Sequence, residues 1–239
     1  MELSSSEYMR PASKTDQLIN EFVATGGDFR NWRPSWNISP TQTIPVLIHS
    51  AKGAAEPVRR LEPARWSLVP SWSKEIRTSF PTFNARSEGI AKKAIWKGPV
   101  RHHRALVVAT GYFEWQTNPF SKKKTPFYLH SADEATLAFA GLYSWWKNPA
   151  LREDDPNSWT LTATILTSDA VDELLHIHDR NPIPLPRESW NDWLNPNIEG
   201  DQHFVDAAVA AALPVASSLE IREVAPLGNN DGLQLVAPV

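Results

Sequence analysis

Four places in this 239-residue chain gather polar and charged groups among aromatics: WNISPTQ (Trp36–Gln42), RWSLVPSW (Arg65–Trp72) with NARSE (Asn84–Glu88), GYFEW (Gly111–Trp115) and HIHDRNP (His176–Pro182). Glu114 lies between Phe113 and Trp115 in a strand-like stretch, so period-2 alternation puts it on the face of Tyr112. A carboxylate flanked by aromatics is desolvated, which raises its pKa toward that of a general acid or base; on an open edge the same residue is an ordinary solvated Glu. His176 and His178 stand two apart, and on a strand they would share a face that could hold a metal ion. The chain has no cysteine and no HExxH run to complete such a ligand set, so no metal is expected. Two readings stay open for this pair. Either one His packs and the other is exposed, or His178 moves a proton beside a phosphate-binding Arg180. Arg86 near Asn84 fits a phosphate clamp, or a turn with a surface ion pair to Glu88. Asn37, Thr41 and Gln42 beside Pro40 read as turn formers.

One stretch is basic. Arg86, Lys92, Lys93, Lys97, Arg101 and Arg104 face a single acid, Glu88, over residues 86–104. Such a run is either a solvated face or a seat for a nucleic-acid backbone. The net charge of −3 removes any whole-protein basic field, so DNA binding has to come from a local patch. The absence of cysteine removes disulfides, thiolate metal sites and cysteine nucleophiles, and fits a cytoplasmic chain. The first residues lack the apolar core of a signal peptide, and no apolar run approaches the roughly 18 residues of a membrane span. Eleven tryptophans serve either as core or as stacking platforms for bases.

These groups need elements to hold them. Residues 1–12 are polar and read as a flexible tail, and a helix follows Ser13, with Leu18, Ile19, Phe22 and Val23 on one face. Strands are expected over 45–49, 59–69, 105–109 continuing into 111–116, 127–130, 137–143, 159–167 and 219–225. Helices are expected over 170–175, 187–194 and 201–212, and 147–158 reads as a surface loop. Strands outnumber helices without alternating with them. That points to a single α+β domain, residues 13–239, with a curved, mostly antiparallel sheet core and flanking short helices.

The order of these segments carries more than each alone. NISPTQ, RWSLVPSW, NARSE, GYFEW, LAFAGLY (Leu137–Tyr143) and IHDRNP with WNDWL (Trp190–Leu194) resemble the successive motifs of the SOS-response-associated peptidase (SRAP) family, from about Trp36 to Leu194. The resemblance implies the SRAP fold and a groove for single-stranded DNA bent at an abasic site. It implies no cofactor, a monomer, and a cytoplasmic protein that is nucleoid-associated when bound to DNA. Asn84 would orient the opened sugar, Glu114 would be the acid/base carboxylate and His178 the proton-transfer group. Arg86 and Arg180 would hold flanking phosphates, Pro40 and Trp115 would wedge or stack at the bend, and Trp66 and Arg10 complete the DNA-binding set. The family's crosslink to DNA and its N-terminal autoprocessing use a cysteine directly after the initiator Met. Here residue 2 is Glu2, so the expected chemistry is altered, and enzyme status is left open between abasic-site chemistry and an inactive single-stranded-DNA binding module.

Overall fold

The computed structural model describes residues 34–51 and 56–239. The tail expected over 1–12, Arg10 within it, and the helix expected after Ser13 lie outside the described residues. In chain order the strands are β1 (Thr43–Ser50), β2 (Val58–Trp66), β3 (Asn84–Arg86), β4 (Arg104–Ala109), β5 (Gly111–Thr117), β6 (Lys124–His130), β7 (Leu137–Lys147), β8 (Trp159–Asp169), β9 (Arg180–Pro182) and β10 (Glu220–Glu223). The α-helices among the described residues are α1 (Ala94–His102), α2 (Trp190–Leu194) and α3 (Gln202–Ser217).

The larger sheet runs β2-β1-β4-β7-β8 with antiparallel neighbours. It closes on itself because the end of β2 pairs in parallel with β8, Arg65 opposite Thr162 and Trp66 opposite Ala163. The strands of this barrel bury both faces. Leu106 and Val108 join a cluster with Trp96, Trp193 and Val205 of the helices, whereas Ala105 and Val107 join the other cluster with Val46, Phe139 and Ala163. Burial on both faces explains why β4 reads as an unbroken apolar run rather than an alternating one. β5, β6 and β10 form a separate antiparallel sheet in the order β10-β6-β5. The stretch expected as one continuous strand from 105 to 116 is therefore divided at Thr110, with its halves in different sheets.

The end of β8 positions the site. β3 lies along it in parallel, Asn84 opposite Ile165 and Arg86 opposite Thr167. β9 lies antiparallel on the opposite edge, Thr167 opposite Pro182 and Asp169 opposite Arg180. Because Asp169 pairs with Arg180, the segment between them has to reverse the chain. The helix expected over 170–175 is replaced by tight turns, with Leu174 N–H bonded to Val171 O at 2.9 Å and Ile177 N–H to Leu174 O at 2.9 Å. α3 starts where the sequence places it, with Asp201 Oδ1 accepting from Phe204 N–H at 2.8 Å, and runs on through Pro214 to Ser217.

Candidate active site

β3 has three residues, and alternation makes it useful: Ala85 is buried against the core while Asn84 and Arg86 are exposed on the other side. The approach to β3 is fixed from behind. Trp66 donates its indole N–H to Phe83 O at 2.9 Å and meets the Phe83 ring edge-on at 6.0 Å, and Ser67 and Thr82 hydroxyls bond at 2.8 Å. Trp66 therefore spends its polar edge on the backbone that presents Asn84, and its half-buried ring packs with the core rather than standing free as a stacking platform. The main chain of Trp66 also holds the Pro40 turn: Thr41 N–H reaches Trp66 O at 2.7 Å and Trp66 N–H reaches Gln42 O at 2.8 Å. Within that turn Pro40 is exposed and Thr41 has φ of 78°, a left-handed conformation costly for a β-branched residue.

Glu114 comes from the second sheet. Tyr112, on its face of β5, packs edge-on against Phe139 of the barrel at 5.6 Å. Burial pushes the Glu114 carboxyl above the ordinary carboxylate range, against the opposing pull of His178 and of the Trp115 backbone N–H. Burial, then the Glu114 charge, raise the Tyr112 hydroxyl as well, which places the two side chains near each other as alternation requires. Trp115, on the opposite face of β5, is 40% exposed.

His178 leaves the turns before β9. Its Nδ1 lies 3.1 Å from both the backbone N and the backbone O of Arg180, and 3.3 Å from Asp179 Oδ1. A neutral ring accepts from the Arg180 N–H, and a protonated ring has the Arg180 carbonyl and the Asp179 carboxylate as acceptors. A histidine served in both charge states is suited to moving a proton. Arg180 itself is largely committed. Its Nη1 donates to Glu88 Oε1 at 2.9 Å and Asp169 Oδ1 at 2.7 Å, and its Nη2 donates to Glu88 Oε2 at 3.0 Å and Thr167 O at 2.7 Å. This bidentate pair ties NARSE to IHDRNP across β8.

Asn84, Arg86, Glu114, His178 and Arg180 thus line one cleft of about 570 Å³. Pro40, Trp66 and Trp115 are not part of its lining, and Arg10 lies outside the described residues. Phe83, Thr167, Asn181 and the flanking Pro81 and Pro182 also line it, and sequence reasoning passed over them. The only sequence signal for Asn181 and Pro182 was their place in IHDRNP; Thr167 reads as the end of a strand and part of a cap for the helix expected over 170–175.

The basic run over 86–104 does not form one surface. Arg104 is 3% exposed, and its guanidinium donates to five carbonyls, those of Trp193, Val100, Arg101, Asn195 and Ile198, at 2.5 to 2.8 Å. Arg101 pairs with Glu199. Lys92, Lys93 and Lys97 stay exposed near α1, while Arg86 points into the cleft. No group of three or more His, Asp or Glu able to hold a metal ion occurs among the described residues, and none of their helices is long and apolar enough to cross a membrane.

The last strand of the closed sheet thus carries one polar motif on each edge, faced by a carboxylate from the second sheet. The chain belongs to the SOS response associated peptidase (SRAP) family, whose model matches residues 8–230. It is 32% identical over 179 residues to the abasic site processing protein YoqW of Bacillus subtilis, covering 74% of this chain and 72% of that one. It is 33% identical over 188 residues to the abasic site processing protein HMCES of Gallus gallus, covering 69% of this chain and 54% of that protein. The fold matches crystal structures of a Bordetella bronchiseptica protein (TM-score 0.68, 20% identity, 88% and 95% of the two chains) and a Bacteroides thetaiotaomicron protein (TM-score 0.66, 23% identity, 83% and 82%).

Proposed function

We propose that this chain binds single-stranded DNA at abasic sites and processes them in the cleft between β3, β5 and β9. The observation that carries the proposal is the meeting of Glu114, from the second sheet, and His178, from the turns before β9, beside Asn84 and Arg86 in one cleft. The relatives named as abasic site processing proteins support the same reading. An abasic site exposes an aldehyde once its sugar opens. Asn84 has donors and an acceptor for the opened sugar's oxygens, and Arg86 has a fork for a neighbouring phosphate. A primary amine of the protein that attacks the aldehyde gives a carbinolamine, and loss of water from it gives an imine joining protein and DNA. In this reading Glu114, its pKa raised by burial, donates the proton that the leaving water takes, and His178 accepts the one the attacking nitrogen sheds. The 239 residues hold no thiol, so none of them closes such an imine into a stable sulfur-containing ring. We place the chain, as a monomer, in the cytoplasm and on damaged DNA.

The missing thiol favours a second reading, a module that binds the lesion without reacting. Incubation with an abasic oligonucleotide, with and without borohydride, followed by a denaturing gel separates the two. A borohydride-trapped adduct is the expected result. A native-gel shift without any trapped adduct selects the binding module, and no binding at low salt overturns both.

A further inference from the structure

The hairpin joining β5 to β6 carries a feature that the cleft does not use. At its tip Phe120 is 94% exposed, and Lys122, Lys123 and Lys124 follow it, all exposed. An isolated surface Phe is ordinary. This one is held out rather than left loose. Asn118 Oδ1 accepts from the N–H of both Phe120 and Ser121 at 2.9 Å, Asn118 N–H bonds to Lys123 O at 2.9 Å, and Lys122 N–H bonds back to Asn118 O at 3.0 Å. The hairpin is also registered to the cleft, because Gln116 donates through Nε2 to His176 O at 2.9 Å, on the turns that deliver His178. An aromatic ring presented beside three adjacent cations matches a polyanion with flat faces, which is the chemistry of a nucleic-acid strand.

We propose that the β5–β6 hairpin is a second contact for the DNA strand, in which Phe120 stacks on a base about six nucleotides from the lesion while Lys122, Lys123 and Lys124 take successive phosphates. This rests on the cleft being the abasic-site pocket. Phe120 lies six residues along the hairpin from Glu114, at most about 20 Å at ~3.3 Å per residue. That is the span of about six stacked nucleotides at ~3.4 Å each. The hairpin therefore reads length rather than damage: it engages long strands and cannot reach the ends of short ones.

The test compares two abasic single strands by fluorescence anisotropy over a range of salt, one of about five nucleotides and one of about 25, chosen to fall short of and beyond that span. The wild-type chain should bind the longer strand more tightly. Phe120→Ala should weaken that binding about tenfold. The triple change Lys122→Gln, Lys123→Gln, Lys124→Gln should lower the salt slope on the long strand by about 2, at ~0.7 per phosphate. Neither variant should alter binding of the short strand. Equal wild-type affinity for both lengths, or long-strand binding unchanged in the variants, overturns the hairpin proposal and leaves the cleft standing. Equal loss on the short strand overturns it too, since the hairpin would then act through the cleft. Failure of the wild type to bind either strand sinks both readings. If the wild type sediments with phosphatidylserine vesicles and the variants lose only that, the hairpin serves a membrane surface and the proposal falls.

Discussion

Arg104 gives the sharpest test of how charge is used here. The sequence offers it as one member of a basic run, but the structure buries it against carbonyls from the end of α1, the end of α2 and the loop beyond. Its Cζ also lies 5.0 Å from the Phe204 ring, which stacks on Trp193. Burial pulls its pKa down to about 10, so it stays charged at neutral pH. Arg104→Lys keeps the charge but offers three donors in place of five. At least two of these carbonyls, buried or part-buried, then lose their partner, at about 1–3 kcal/mol each, and the planar contact with Phe204 adds about 1 kcal/mol. The expected loss is about 4 kcal/mol, a large part of a typical stability of ~5–15 kcal/mol. Urea unfolding measures it as a lower midpoint at unchanged slope. The control is Arg101→Gln, whose pair with Glu199 is about half exposed on both sides and should change stability by less than ~1 kcal/mol. If Arg104→Lys unfolds within about 1 kcal/mol of wild type, the five-carbonyl account is wrong. If it keeps its stability and loses DNA binding, the residue belongs to a DNA surface after all.

Three further substitutions probe the site and its frame. Glu114→Gln should lower abasic-site processing by about 10²–10⁴-fold, read as trapped adduct per minute. The same change should raise the melting temperature at pH 8, because a carboxyl whose pKa is raised on folding costs stability once ionised; the gain should vanish below about pH 4, where folded and unfolded forms are both protonated. For Glu88, burial would raise the carboxyl, but the hydrogen bonds and charge of Arg180 outweigh it and hold it below its ordinary range. Its contribution is therefore present above about pH 4 and is lost as pH falls through the depressed folded value. Glu88→Gln should cost about 1 kcal/mol at pH 7, discounted for a side chain 53% exposed, and urea titrations of variant and wild type should converge in strong acid. Gly111→Ala puts a Cβ 2.5 Å from both Leu129 O and the Tyr128 ring, so backbone has to move. We expect a loss of about 1–3 kcal/mol by thermal melting, and a variant as stable as wild type would show the corner is slack.

The sequence carried β1, β4 and β7 because each buries a run of apolar residues, and run length is what sequence reading detects. It did not carry β3 and β9. Three residues have no readable period, and these strands exist only because the end of β8 leaves two edges to pair with. The helix expected over 170–175 failed for the same reason, since pairing between Asp169 and Arg180 overrides a local propensity. In the site, Glu114 was legible from its aromatic neighbours and the alternation of β5. The ion pair of Arg180 was not, because Glu88 is 92 residues away and nothing local distinguishes an arginine aimed at a phosphate from one held by a carboxylate.

That distinction bears on how the cleft would hold DNA under the proposed function. Arg180 has two carboxylates and a carbonyl on its terminal nitrogens, while Arg86 is exposed and lines the cleft. A phosphate arriving at Arg180 would compete with a bidentate Glu88 and add its charge beside two existing ones, whereas at Arg86 it meets an open guanidinium. The two arginines therefore divide the work. Under the proposed function Arg86 would be the phosphate ligand, whereas Arg180 braces β3 to β9 through Glu88 and keeps its backbone N–H 3.1 Å from His178 Nδ1. Glu114 itself stands in the second sheet, joined to the barrel by the single residue Thr110 at one end of β5 and by the Gln116 bond to His176 O at the other. The acid on the second sheet and the histidine on the turns before β9 are held together by these ties and by the Tyr112–Phe139 contact, so under the proposed function a change at any of them should alter processing by shifting Glu114 or His178.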